Sequence, residues 1–220
     1  MKKYNIILLT LFLSRHAFAQ PAVKDEPRHH LVFENEYLRI LDVHMAPNDT
    51  TQFHLHQTPS VFISLSKTLT TNQSLGQPVN PVRYDEIKAW YDPIPSPRIH
   101  RVWNSDSSWL HIMDVELTAV RQKSNPPVIQ SPFLQLLFNE LQVTGYRLEL
   151  PADNSIALPI SDTGYLLVSL ANSVIRFDMH GGSQKRMMKA GHYIWIPAGG
   201  ASTLTNLDQS KAELVLLHLK

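Results

Sequence analysis

The chain has 220 residues, a formal net charge of +1 and no cysteine. Its length allows one large domain or two of about 100 residues each, and its near-neutral charge lacks the basic blocks of a dedicated nucleic-acid binder. Without cysteine there is no disulfide framework, no thiol nucleophile and no thiolate ligand, so any metal must be held by His, Asp, Glu or water.

Residues 1–19 read as a cleavable signal peptide. Lys2 and Lys3 form a positive start, Tyr4 to Leu13 an apolar stretch, and Ala17-Phe18-Ala19 a small-x-small cleavage site before Gln20. The apolar run is short for a membrane span and Pro21 follows it. The expected address is therefore periplasmic or secreted, with no membrane association after cleavage. Residues 20–28 are polar and read as loose, and His29 and His30 with them as solvated.

From Leu31 the chain is a succession of short apolar runs divided by turn residues. Leu41, Val43 and Met45 alternate, Ala46-Pro47-Asn48-Asp49 is a turn, and Ser60 to Ser66 alternates again. Prolines crowd residues 78–97, which read as loop-rich, and Trp109 to Leu117 is a further strand. No window before residue 120 carries a helical period, so the fold class is all-β, a sandwich or barrel. Residues 121–132 are polar and proline-rich, as in a linker between domains. Beyond them the pattern repeats. Moving residues 31–66 forward by 105 lays them on 136–171 without a gap, with Val43 on Leu148, Met45 on Leu150 and Ile63-Ser64-Leu65 on Val168-Ser169-Leu170. A period of this size indicates a duplicated domain, 20–120 and 133–220.

The chemistry concentrates in Phe53-His54-Leu55-His56 and His100-Arg101-Val102-Trp103-Asn104. In a strand His54 and His56 share one face, and two imidazoles about 7 Å apart are half of a metal site. His100 is placed to complete it from a second strand. Ser60, on the same parity, and Asn104 are further candidates for the pocket lining, Asn104 also as a turn former. Trp90, Tyr91, Trp103 and Trp109 offer aromatic walls, and Arg39, Arg98 and Arg101 are available to an anion.

These residues resemble the two motifs of the cupins, and the repeat makes the chain similar to a bicupin. Gly191, Pro197, Gly199 and Asn206 keep the spacing of the family's second motif, with Ser202 at its histidine. In the first half Pro95, His100 and Asn104 keep it, with Ala89 and Pro97 at the glycines. His54-x-His56 matches the first motif, but Ser60 and Val61 stand where its glutamate would fall, and the shift of 105 puts Pro159 and Ser161 on its histidines in the second half.

The resemblance implies two tandem antiparallel, jelly-roll-like cupin barrels. It also implies a three-histidine site of His54, His56 and His100 in the first barrel and none in the second. Such a set suits a divalent ion, Fe, Zn, Mn or Ni. Two functions follow from it. One is a metal-dependent enzyme, dioxygenase- or isomerase-like, acting on a small polar or anionic molecule. The other is a non-catalytic small-molecule-binding or sensing protein with a vestigial or structural site. Cupins commonly pair, so a homodimer is a further expectation.

Overall fold

The computed structural model describes residues 20–119, 126, 128–179, 181–200 and 202–220. The leader read over residues 1–19 and most of the polar stretch 120–127 lie outside them. The described residues contain eighteen β-strands and one short 3-10 turn, Val23–Asp25, and no helix long and apolar enough to cross a membrane.

Nine strands make the first half: β1 His29–Glu34, β2 Arg39–Met45, β3 His54–His56, β4 Ser60–Ser64, β5 Thr68–Ser74, β6 Asn80–Tyr84, β7 Lys88–Asp92, β8 Arg98–Asn104 and β9 Leu110–Glu116. They form a five-stranded sheet, β1-β2-β9-β4-β7, facing a four-stranded sheet, β3-β8-β5-β6. The second half repeats the plan with β10 Leu134–Asn139, β11 Val143–Leu150, β12 Ser155–Leu158, β13 Gly164–Ser169, β14 Ser173–Met179, β15 Gly182–Met188, β16 Tyr193–Pro197, β17 Ser202–Asn206 and β18 Ala212–Leu219, in sheets β10-β11-β18-β13-β16 and β12-β17-β14-β15. All strand pairs are antiparallel. The proline-rich stretch 78–97 holds two strands rather than loop alone. Pro81 is tolerated because β6 is a sheet edge, where a missing N–H breaks no ladder.

Strand alternation builds two kinds of core. On β2 and β9, Val43, Met45, Leu110 and Ile112 turn into the first barrel, while Ile40, Met113 and Val115 turn outward. The outward set packs against Leu166, Val168, Val215 and Leu217 of the second half, so the two five-stranded sheets cover part of each other's outer faces and leave Asp42 and His44 at the margin. Tyr193 Oη donates to the Val32 carbonyl at 2.7 Å and Gln142 Nε2 to the Ala119 carbonyl at 2.7 Å across this seam. Val128 and Ile129, inside the expected linker, pack on the core of the second barrel, and Ile129 N donates to Tyr146 Oη.

The duplication holds to the level of single hydrogen bonds. Asn104 Nδ2 donates to the carbonyls of Met45 (3.0 Å) and Ser108 (2.7 Å), and Asn206 Nδ2 to those of Leu150 (2.9 Å) and Ser210 (2.7 Å). The alignment does have a gap, which corrects the uninterrupted shift. Thr50 faces Trp103 and His54 faces His100, whereas Ser155 faces Thr205 and Leu158 faces Ser202. The first barrel thus has one more residue before β3, and Leu158, rather than Pro159, stands at the place of His54.

Candidate metal centre

β3 pairs with β8 so that His54 lies directly opposite His100, and His56 follows His54 on the same face. The ring centroids of the three lie 4.7 Å (His54 to His100), 4.8 Å (His56 to His100) and 5.0 Å (His54 to His56) apart. All three are buried. They line a cavity of about 180 Å³ inside the first barrel, closed on one side by a stack of Phe62, Trp90 and Tyr84 and carrying Arg98 and Asp92.

A fourth imidazole joins them. His29, expected to be solvated, is buried on β1 with its ring centroid 4.7 Å from that of His54. The ligand nitrogens of His29, His54 and His56 lie within 4.8 Å of one another. The segment before it is docked rather than loose. Leu55 N donates to the Pro21 carbonyl at 2.8 Å, and buried Glu26 accepts from Arg28 N (2.8 Å), Gln52 N (3.1 Å) and His29 Nδ1 (2.8 Å). Burial alone would raise Glu26, but these donors hold its carboxyl below the ordinary range. The sequence signal was Glu26 three residues before His29, hidden in a polar stretch with no apolar periodicity.

Each ring is oriented from behind. His54 Nδ1 donates to the Gln52 carbonyl at 2.8 Å, His100 Nδ1 faces Asn72 Oδ1 at 3.2 Å, and His29 Nδ1 donates to Glu26. An acceptor at Nδ1 places the proton there and leaves the Nε2 lone pair free. His56 is the exception: its Nδ1 lies 3.7 Å from Asp114 Oδ2 without a hydrogen-bond partner among the described residues, and its Nε2 is 3.1 Å from His54 Nε2. Since His54 Nε2 carries no proton, that short contact makes His56 Nε2 the donor when no ion intervenes.

Electrostatics keep the imidazoles neutral, the state in which they ligate. Burial lowers His54 to about 4 and His100 to about 3, with neighbouring cationic forms adding to the effect, and lowers His56 as well. Asp114 is fully enclosed. Burial pushes its carboxyl up to about 8 and Glu116 adds to the rise, while Ser60 draws it down. That help is slight, because Ser60 Oγ donates to the Thr58 carbonyl at 3.3 Å and both Asp114 oxygens lack a hydrogen-bond partner among the described residues. Orphaned buried polar atoms at His56 and Asp114 are costly unless something restores their partners. An ion on His56 Nε2 would do so, moving the ring proton to Nδ1 beside an ionised Asp114. The donor set therefore fits a divalent metal.

Ser60 and Asn104, expected in the pocket lining, lie outside the residues that line the cavity. Ser60 is buried behind Asp114, and Asn104 is consumed by the turn that it closes. Trp90 does form the wall, but Tyr91 packs on Phe138 across the seam, and Trp109 is largely exposed. In the second barrel the register places Leu158, Phe177, Ser202 and Leu216 at the positions of His54, Asn72, His100 and Asp114. Leu158, Phe177 and Leu216 join a packed apolar core instead of a polar chamber.

Neither a protein-family model nor a curated sequence matches the chain. Solved structures do. AerE from Microcystis aeruginosa aligns over 89% of this chain and 98% of its own with a TM-score of 0.57 at 11% identity. YhhW from Escherichia coli aligns over 89% of each chain with a TM-score of 0.58 at 14% identity. A salicylate 1,2-dioxygenase from Pseudaminobacter salicylatoxidans aligns over 83% of this chain and 71% of its own, with a TM-score of 0.58 at 10% identity. A cupin 2 conserved barrel domain protein from Leptotrichia buccalis has a TM-score of 0.56 at 9% identity over 87% of this chain and 88% of its own. With the duplicated sheets and the paired asparagine turns, these likenesses identify the chain as a protein of the cupin fold in its two-barrel form.

Proposed function

We propose that the first barrel is a divalent-metal centre held by His54, His56 and His100, with His29 as a fourth imidazole, and that it acts on a small polar or anionic molecule admitted to the cavity. The observation that carries this reading is the orientation of the rings: Gln52, Asn72 and Glu26 each hold an Nδ1 and so turn a free nitrogen toward the centre. An all-imidazole set brings no negative charge, so a bound divalent ion would keep its full charge to polarise a substrate oxygen or lower the pKa of bound water.

The chain's own residues supply the rest. Phe62, Trp90 and Tyr84 form a flat apolar wall that shields the centre from water. Arg98, ion-paired to Asp92 at 2.8 Å, keeps its Nε buried without a hydrogen-bond partner among the described residues, a donor suited to an anionic group. A salicylate 1,2-dioxygenase and its gentisate adduct share this fold. That supports a small aromatic or enolisable acid as the first class to try, with Fe, Zn, Mn and Ni as the metals. Export belongs to the same reading: cleavage after Ala19 would leave Gln20 first, and mass spectrometry of the mature chain tests it.

One observation favours a non-catalytic binding protein instead. The contact of 3.1 Å between His54 and His56 is satisfied without an ion. Elemental analysis of untagged protein, purified without chelator, separates the two readings. A metal-centre protein carries an ion that His54→Ala with His100→Ala removes; a wild type that stays metal-free after exposure to all four ions contradicts the proposal.

A further inference from the structure

We propose that Asp42, His44 and His111 form a second divalent-cation site, on the outside of the first barrel and independent of the centre within it. The strands place them there. β2 pairs with β9 so that His44 faces His111, and Asp42 lies two residues before His44 on the same face. Their neighbours Val43, Met45, Leu110 and Ile112 line the inner cavity, so these three side chains point the opposite way. One ligand atom from each lies within 4.8 Å of the others. Asp42 Oδ1 is 2.8 Å from His111 Nε2, and Asp42 Oδ2 is 3.2 Å from His44 Nε2.

The duplicate barrel shows what this place otherwise requires. The register sets Arg147, Glu149 and Glu213 at the positions of Asp42, His44 and His111. There Arg147 pairs with both glutamates, and Lys211 reaches Glu149 at 3.0 Å and Glu213 at 3.3 Å. That cluster carries its own cations among its oxygen donors. In the first barrel the same place presents two imidazoles and a carboxylate, a donor set for a first-row transition ion such as zinc, copper or nickel.

The surroundings suit an ion that stays open to solvent. Gly191, from the turn before β16, lies against His111; a Cβ there would come within 2.7 Å of its Cε1 and 3.0 Å of its Nε2. The missing side chain lets the His111 ring stand there, where a Cβ would press on its ligating nitrogen. His44 is exposed and stacks on His111 with centroids 3.8 Å apart and planes 27° from parallel. Stacked rings do not converge on one point, so His44 must rotate to share an ion, and its exposure permits that.

The test is a zinc titration of the untagged full chain, with stoichiometry read by calorimetry and by elemental analysis after gel filtration. Three proteins are compared: wild type, His44→Ala with His111→Ala, and His54→Ala with His100→Ala. Two zinc ions per wild-type chain, with a different one lost in each variant, are expected. If the inner centre binds nothing, one ion lost only in the His44 and His111 variant still supports the outer site. A stoichiometry that the His44 and His111 substitutions leave unchanged overturns it, and reduces the trio to a hydrogen-bonded clamp. His44→Ala alone, at an exposed position, repeats the comparison where the double variant folds poorly.

Discussion

Asp114 Oδ2 lies 3.7 Å from His56 Nδ1, and neither atom has a hydrogen-bond partner among the described residues although both side chains are buried. In the metal-free protein this pair is two uncharged groups facing each other. With an ion on the far side of the ring, it would become a carboxylate facing an N–H across 3.7 Å. The state of Asp114 therefore reports on the state of the centre.

A pH dependence follows for the protein in chelator. His54 and His100, lowered by burial from 6.5 to about 4 and about 3, stay neutral where the unfolded chain takes up protons. Their contribution is complete above pH 6.5 and is lost as the pH falls toward those values. Asp114, raised from 3.8 to about 8, works in reverse: its contribution is complete below pH 3.8 and is lost as the pH rises to about 8. Between these limits the lowered histidines, His54, His56, His100 and His218, outnumber the raised carboxyls Asp114 and Glu116, at about 1.4 kcal/mol per pH unit for each net proton. Urea unfolding is expected to show stability rising to a maximum near pH 6.5 and then declining. Asp114→Asn should abolish the decline, and a decline that survives it would assign the effect elsewhere.

Glu26→Gln tests the orientation of His29. Glutamine keeps one acceptor oxygen, enough for Arg28 N and His29 Nδ1, which share Oε2, but it turns an NH2 toward Gln52 N and withdraws the charge behind the ring. Zinc affinity of the inner centre should fall by roughly 10- to 100-fold, beside a stability loss of about 1–3 kcal/mol from the Gln52 amide left unpaired. An unchanged affinity would remove His29 from the ligand set.

The two asparagine turns predict matched losses. Each asparagine is buried, donates to two carbonyls and accepts from one amide. Asn104→Ala and Asn206→Ala should each cost roughly 1–3 kcal/mol through the buried groups left unpaired. Neither should change the metal stoichiometry, since neither side chain reaches the cavity. Loss of metal in a folded Asn104→Ala protein would return that residue to the site.

Much of the fold and three of the four imidazoles that meet in the cavity were legible in the sequence, for a reason that also explains the omissions. Alternation along Leu41, Val43 and Met45 and its copy at Tyr146, Leu148 and Leu150 reflects burial on one face, so duplication and barrel architecture show as parity. His54, His56 and His100 were visible because a motif spacing joins them. His29 was not, because the one local signal, Glu26 three residues before it, sits in a polar stretch that is docked by tertiary contacts such as Gln52 N to Glu26. Asp114 does leave a signal: it follows Leu110 and Ile112 on the inward parity of β9, where a charge is out of place. Ser60 has the right parity but stands behind Asp114. The extra residue before β3 was invisible because only the strand register reveals it.

The most direct test of the metal centre is X-ray absorption spectroscopy of the zinc-loaded chain, carried out on a protein with His44→Ala and His111→Ala so that the outer cluster is silent. The expected result is a first shell of three or four imidazole nitrogens at about 2.0–2.1 Å, collapsing when His54 and His100 are also replaced. Zinc that is held by oxygen ligands alone, or that the chain does not retain, would contradict it.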